Sequence, residues 1–332
     1  MMKATKTWVL IVLLIISAIN VHARPIPDTG QTKCYNNTAE IPCPSPGQAF
    51  YGQDGNYTID PPSYTKLDAN GAVLPDSAAT WAMVRNNVTG LIWENKTDDG
   101  SIHDKDYACG WGGTGAFIKA LNDAMFGGFS DWRLPTITEL QSIVDFSRKM
   151  PAIDTNFFPG TVFSATTSSG YWSSTPYASS PNSAWFIPFG YGHVDSANTG
   201  AAFAARAVRG GKKAGGFMDN DDGTVTDTAT GLMWQQGAPS SMTWEAALTY
   251  ADGLALAGFN DWRLPTITEL QSIVDFSRAS PAIDTNWFPG TGVSYYWSST
   301  TYAGALWFKL IRRIEAKARR LDCRVRKALV GV

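Results

Sequence analysis

The eighteen residues DWRLPTITELQSIVDFSR, Asp131 to Arg148, recur letter for letter at Asp261 to Arg278. Identity over that length, 130 positions apart, marks a copied fold unit. Shorter blocks repeat around it in the same order. TGLIW (Thr89–Trp93) returns as TGLMW (Thr230–Trp234), and PAIDTN (Pro151–Asn156) returns at Pro281–Asn286. FPGT (Phe158–Thr161) returns at Phe288–Thr291, and YWSST (Tyr171–Thr175) at Tyr296–Thr300. At roughly 100–200 residues per domain, a chain of 332 residues has room for two. The blocks predict unit one at 52–211 and unit two at 216–332, with the Gly/Lys-rich GGKKAGG (Gly210–Gly216) between them. Residues 24–51 read as a Pro-rich lead-in without a core of its own.

The repeated stretch has a local logic. Thr136 and Glu139 stand in the T-x-x-E spacing of a capping box, and Thr266 and Glu269 repeat it. The Thr hydroxyl takes the third helical amide, and the Glu carboxylate reaches back to the N-cap amide. Pro135 and Leu140 stand at the positions of a hydrophobic staple. Leu140, Ile143 and Val144 then form one apolar helix face, which Ser147 and Arg148 end. Trp132 and Leu134, two apart, lie on one face of a preceding strand, and Trp262 repeats Trp132. The stretch therefore reads as scaffold, with Trp132, Thr136, Glu139, Trp262, Thr266 and Glu269 in structural roles. Unit two adds a strand pair turning at Asp222-Gly223 and an amphipathic helix over Thr243–Leu254 with Thr243 as its cap.

Residues 1–23 read as a secretory signal. Lys3 and Lys6 precede an apolar run from Trp8 to Ile19, and Val21, His22 and Ala23 precede the cut. The run is shorter than the roughly 20 residues of a comfortable span. The expectation is a secreted, cell-surface or periplasmic protein with no membrane span after cleavage. Export permits disulfides. Cys34 and Cys43 bracket the loop CYNNTAEIPC and are expected to pair, while Cys109 and Cys323 stay open as a pair or as two free thiols.

The ordered blocks T-G-L-[IM]-W, G-F-[SN]-D-W-R-L-P-T-x-x-E-L, P-A-I-D and Y-W-S-S-T, closed in unit one by ARAVRG (Ala205–Gly210), carry a resemblance. They resemble the bacterial domain, formerly of unknown function, that is named for the C-terminal domain of the Legionella collagen-like adhesin. The resemblance covers both units. More distantly, the R-L-P-T-x-x-E core is similar to the C-type-lectin-like fold of formylglycine-generating enzymes. It implies an α+β chain of two tandem C-type-lectin-like units, each with two helices packed on antiparallel sheet. It also implies adhesion, through sulfated glycosaminoglycans and matrix components. Unit two departs from the pattern at its end, where DCRVRK (Asp322–Lys327) replaces the closing block and puts the last strand in question.

Catalytic patterns are missing from the sequence. Its three His (His22, His103, His193) form no Ser/His/Asp pattern and no H-E-x-x-H, and no carboxylate pair is singled out. Two clusters stand out instead. The stretch 305–332 holds nine basic residues against two acidic, a charge of +7 on a chain whose net charge is −2. Arg312, Arg313, Lys317, Arg319 and Arg320 are its candidate ligand contacts, because guanidinium groups pair with sulfate and carboxylate. In TDDGSIHDKD (Thr97–Asp106), Asp98, Asp99, Asp104 and Asp106 are candidate calcium ligands, since oxygen-rich loops suit that ion. Tyr171, Trp172, Trp185, Tyr296, Trp297 and Trp307 are candidate sugar platforms, although most Trp of such a fold belong to its core. The reading is an exported, non-catalytic binding protein with a polyanionic glycan or matrix partner, no nucleic acid and no obligate cofactor. The alternatives are an enzyme acting on envelope polysaccharide and a structural envelope protein.

Overall fold

The computed structural model describes residues 25–164, 169–211, 215–301, 309–313 and 327–328. The lead-in holds two short strands, β1 (Cys34–Tyr35) and β2 (Glu40–Ile41), and the Cys34–Cys43 disulfide staples them.

Unit one opens with an antiparallel meander of β3 (Tyr64–Leu67), β4 (Met83–Asn86) and β5 (Ile92–Glu94). The turn before β5 explains the T-G-L block. The Asn86 carboxamide accepts the amides of Val88 and Thr89, and Gly90 sits at φ +70°, which an L side chain rarely adopts. Then come β6 (Ala108–Cys109), α1 (Thr114–Asp123), α2 (Ile137–Gln141), β7 (Tyr171–Pro176), β8 (Ser183–Ile187), β9 (Asp195–Asn198), β10 (Phe203–Ala204) and β11 (Val208–Arg209). Two sheets result, in the orders β11-β5-β4-β3 and β6-β10-β7-β8-β9.

Unit two repeats the plan with β12 (Phe217–Asp219), β13 (Thr224–Asp227), β14 (Met233–Gln235), α3 (Trp244–Asp252), α4 (Ile267–Ser272), β15 (Tyr295–Thr301), β16 (Lys309–Arg313) and β17 (Lys327–Ala328). Its sheets run β12-β13-β14 and β16-β15-β17 among the described residues. The last strand in question thus has a place: β17 pairs with β15 at Tyr296↔Lys327, as β10 pairs with β7 at Ala204↔Tyr171.

Two expectations need correction. The sheets are not purely antiparallel, because each unit holds one parallel pair, β7 with β10 and β15 with β17. The closing strand arrives after a long connection rather than a hairpin, so nothing forces it to run the other way. The helix after each capping box is also shorter than its apolar pattern. In unit one it ends at Gln141, where the Ser142 hydroxyl donates back to the Glu139 carbonyl and the Val144 amide to the Gln141 carbonyl. Ile143 and Val144 remain buried on the turn that follows.

The two copies of the repeated stretch meet. α2 packs against α4, and Ile267 joins the unit-one core beside Ile137, Leu140 and Phe146. Phe276 reaches the Trp185 ring of unit one at 5.5 Å, edge to face. The lead-in lies along the same seam. The Thr29 carbonyl accepts the Phe146 amide of unit one, and the Gln31 carboxamide donates to the Thr301 carbonyl of unit two.

Candidate functional site

The acidic loop of unit one is anchored from below by buried charge. β5 delivers Glu94, whose side chain is fully buried. Its carboxylate takes the Lys96 ammonium at 3.1 Å, meets His103 Nδ1 at 2.9 Å and accepts the Ala207 amide at 3.0 Å. Burial lowers the Lys96 pKa despite that partner. Arg206, also buried, donates to the Glu94 carbonyl and the Thr161 hydroxyl, between the rings of Phe158 and Tyr171. Unit two has Gln235 and Gly237 where unit one has Glu94 and Lys96, so this network belongs to one copy alone.

On that base the loop brings Asp98, Asp104 and Asp106 together, with carboxylate oxygens within 4.8 Å of one another. Asp99 is held elsewhere, where it accepts the Thr97 hydroxyl and the Ser101 amide. Asp104 accepts the amides of Asp99, Gly100 and Asp106, and these bonds lower its pKa. Lys105 bridges the other two carboxylates, 3.1 Å from Asp98 and 2.7 Å from Asp106. The three carboxylates are the ones that could hold a cation, and an ammonium already sits among them.

The repeated stretch forms the same cap twice. Thr136 accepts the Glu139 amide and Glu139 takes the Thr136 amide, and Thr266 and Glu269 do the same. In each unit the Glu also binds the preceding Arg through two bonds, Arg133–Glu139 and Arg263–Glu269. Trp132 and Trp262 are buried, with their indole N–H groups on the carbonyls of Phe126 and Leu256.

The lead-in, taken from here on together with the residues through Asp60 that continue it, covers only one of these caps. Over unit two it builds a small cleft lined by Ile26, Pro27, Asp28, Asp54, Tyr57, Ile59, Thr266 and Glu269. Asp54 is 2% exposed and accepts the hydroxyls of Thr29 at 2.7 Å and Thr300 at 2.5 Å. Burial, reinforced by Asp28 and Glu269, lifts its pKa from 3.8 to about 7. Sequence reasoning missed Asp54. Its neighbours lie far away along the chain, and the only local signal was a polar GQDGN following the stapled loop.

A family model of the Lcl C-terminal domain matches residues 82–209 and 223–322. The chain belongs to the Lcl C-terminal domain family. It carries two tandem copies of that domain, and the family is adhesin-associated, consistent with a binding role. No curated protein matches the chain. The first Lcl C-terminal domain match takes in the acidic loop and Arg206, and the second takes in α4 and β16. The lead-in lies outside both.

The basic residues of the second Lcl C-terminal domain are only partly placed. Arg312 and Arg313 lie on β16, register partners of Tyr296 and Tyr295. Tyr296 corresponds to Tyr171, whose partner is the buried Ile187, so Arg312 takes a register position that is apolar in the first copy. Lys317, Arg319, Arg320, Cys323 and Trp307 lie outside the described residues. Tyr171, Trp172, Trp185 and Tyr296 are buried in the core and offer no face to a sugar, and Trp297 is half-buried. Cys109 is half-buried and has no disulfide partner among the described residues, and burial pushes its thiol up.

Proposed function

We propose that this is an exported, non-catalytic adhesion protein whose leading ligands are acidic or sulfated glycans. The observation that carries the reading is how unevenly positive charge is spread along the sequence. Among the described residues, Lys33, Lys105, Lys119, Arg133, Arg148, Arg209, Arg263 and Arg278 each pair with a carboxylate. Lys66, Lys96 and Arg206 are buried. Arg85 bonds the Asn87 carboxamide and, like Lys149, makes no ion pair among the described residues. Most cations of the described body before residue 302 are thus offset by a carboxylate or by burial. The stretch 305–332 has nine cations and only two acids, an excess of +7 concentrated in one short segment. A dense cationic segment on a net-acidic chain favours multivalent anions, and sulfated sugars meet guanidinium groups through paired donors. The reading takes each unit as C-type-lectin-like, which the two helices, the meander and the parallel closing pair of each copy support.

Retention on a heparin column tests this reading. The full chain and its Lys317→Gln/Arg319→Gln/Arg320→Gln variant are eluted with a salt gradient. These substitutions lie in sequence between β16 and β17, and an unchanged thermal midpoint would show that the variant is folded. The variant is expected to elute at clearly lower salt. Equal retention of the two folded proteins would overturn the assignment.

A further inference from the structure

The identical residues of the two caps exist in two states. In unit two Arg263, Thr266, Thr268, Glu269 and Thr300 are all buried, because the lead-in lies over them. The Pro27 carbonyl accepts the Thr268 hydroxyl at 3.5 Å, the Asp54 carboxylate accepts the Thr300 hydroxyl at 2.5 Å, and the Tyr57 ring lies 5.7 Å from the Arg263 guanidinium. In unit one the same positions are open. Thr136 and Thr138 are exposed, and Arg133, Glu139 and Thr175 are half-buried. The local geometry is nevertheless the same. Thr175 accepts the Ile137 amide at 3.0 Å, as Thr300 accepts that of Ile267 at 3.0 Å. The Thr300 hydroxyl then donates to Asp54, whereas the Thr175 hydroxyl finds no acceptor among the described residues.

Among the described residues the chain therefore has two copies of a face and one segment that covers either of them. We propose that the open cap face of unit one is a docking site for an extended, carboxylate-bearing peptide segment of a partner protein, held as the lead-in is held on unit two. The Thr175 hydroxyl would donate to the carboxylate, the Thr138 hydroxyl to a backbone carbonyl, and the Arg133 guanidinium would lie under an adjoining ring. A second copy of this chain is not the occupant. Its lead-in already covers its own unit two, and lifting it would expose as much surface as it covered. The aromatic anchor is also present in both copies. Phe50 packs on Trp244 at 6.2 Å, whose indole donates to the Ser298 carbonyl, and the half-buried Trp111 of unit one donates in the same way to the equivalent Ser173 carbonyl.

The test uses the full chain and a labelled synthetic peptide of residues 25–60 with the Cys34–Cys43 disulfide closed, titrated by fluorescence anisotropy. Saturable one-to-one binding is expected. It should weaken at least tenfold in the full-chain variant Thr138→Glu, which places a repelling carboxylate on an exposed position of the first helical turn, where a negative charge favours the helix. A peptide carrying Asp54→Ala should lose binding to a similar degree. An unchanged thermal midpoint would show that Thr138→Glu is folded. Absence of saturable binding would overturn the proposal. So would binding indifferent to Thr138→Glu, since that places the peptide on unit two by exchange with the resident lead-in.

Discussion

Arg263 grips Glu269 through two parallel hydrogen bonds of 2.7 and 2.5 Å, and both side chains are only 9% exposed. Arg133 and Glu139 make the same pair in unit one at 28% and 19% exposure. Burial alone would raise the Glu269 pKa, but the bonds from Arg263 and Thr266 hold it below its ordinary value. The two pairs form an internal experiment on solvent exposure. Glu139→Ala is expected to cost about 1–2 kcal/mol, mostly through the lost cap. Glu269→Ala strands a buried guanidinium and is expected to cost about 3–5 kcal/mol. Urea unfolding of the two variants checks this, and equal costs would show that the lead-in does not seal the second pair.

Asp54 gives the lead-in a pH dependence with a definite sign. Its carboxyl titrates at about 7 when docked, against an ordinary 3.8. Below the ordinary value it is neutral in both states, so docking there is at full strength. Between the two values the released segment ionises and the docked one does not, so docking weakens as pH rises, and it levels off above about 7. Asp28, also raised by burial, acts in the same direction, whereas Glu269, which is lowered, loses its contribution only in more acid solution. Three pH units correspond to at most about 4 kcal/mol. Hydrogen exchange of residues 26–57 should be slower at pH 5 than at pH 8 after correction for intrinsic rates. Asp54→Asn should remove most of that difference, and a variant that keeps it would acquit Asp54.

The capping boxes, the α3 cap at Thr243 and the hairpin at Asp222-Gly223 were legible because each is set by residues within a few positions of one another. The helix ends were not. The apolar spacing of Leu140, Ile143 and Val144 predicts a longer helix, but the turn after Gln141 buries the same side chains without helical bonds. The packing of one repeat on the other was invisible for a different reason. Ile267 serves the core of unit one, and no local pattern can say which unit an apolar face will meet. The same holds for the lead-in, whose closest partners, such as Thr300 and Thr301, come from the other end of the chain.

Glu94 and Lys96 should be strongly coupled. Glu94→Gln leaves the Lys96 ammonium buried without a full counter-charge and is expected to cost about 3–5 kcal/mol. Unit two shows which pair of residues satisfies this position without charge, namely Gln235 and Gly237. The double variant Glu94→Gln/Lys96→Ala should therefore recover a substantial part of the loss, giving a coupling energy of about 1–3 kcal/mol in a double-mutant cycle. Additive costs would mean that the two charges act independently.

Lys105 decides how the acidic loop responds to cations. Its ammonium holds Asp98 and Asp106 together, and these carboxylates in turn raise its pKa. A calcium ion seated among Asp98, Asp104 and Asp106 would have to displace it, against like-charge repulsion at close range. Lys105→Gln removes the competitor while keeping the carboxylates. Calcium affinity, followed by titration calorimetry, is expected to rise by about tenfold in that variant. A heat of binding equally weak in both proteins would show that the three carboxylates serve the turn and its lysine alone.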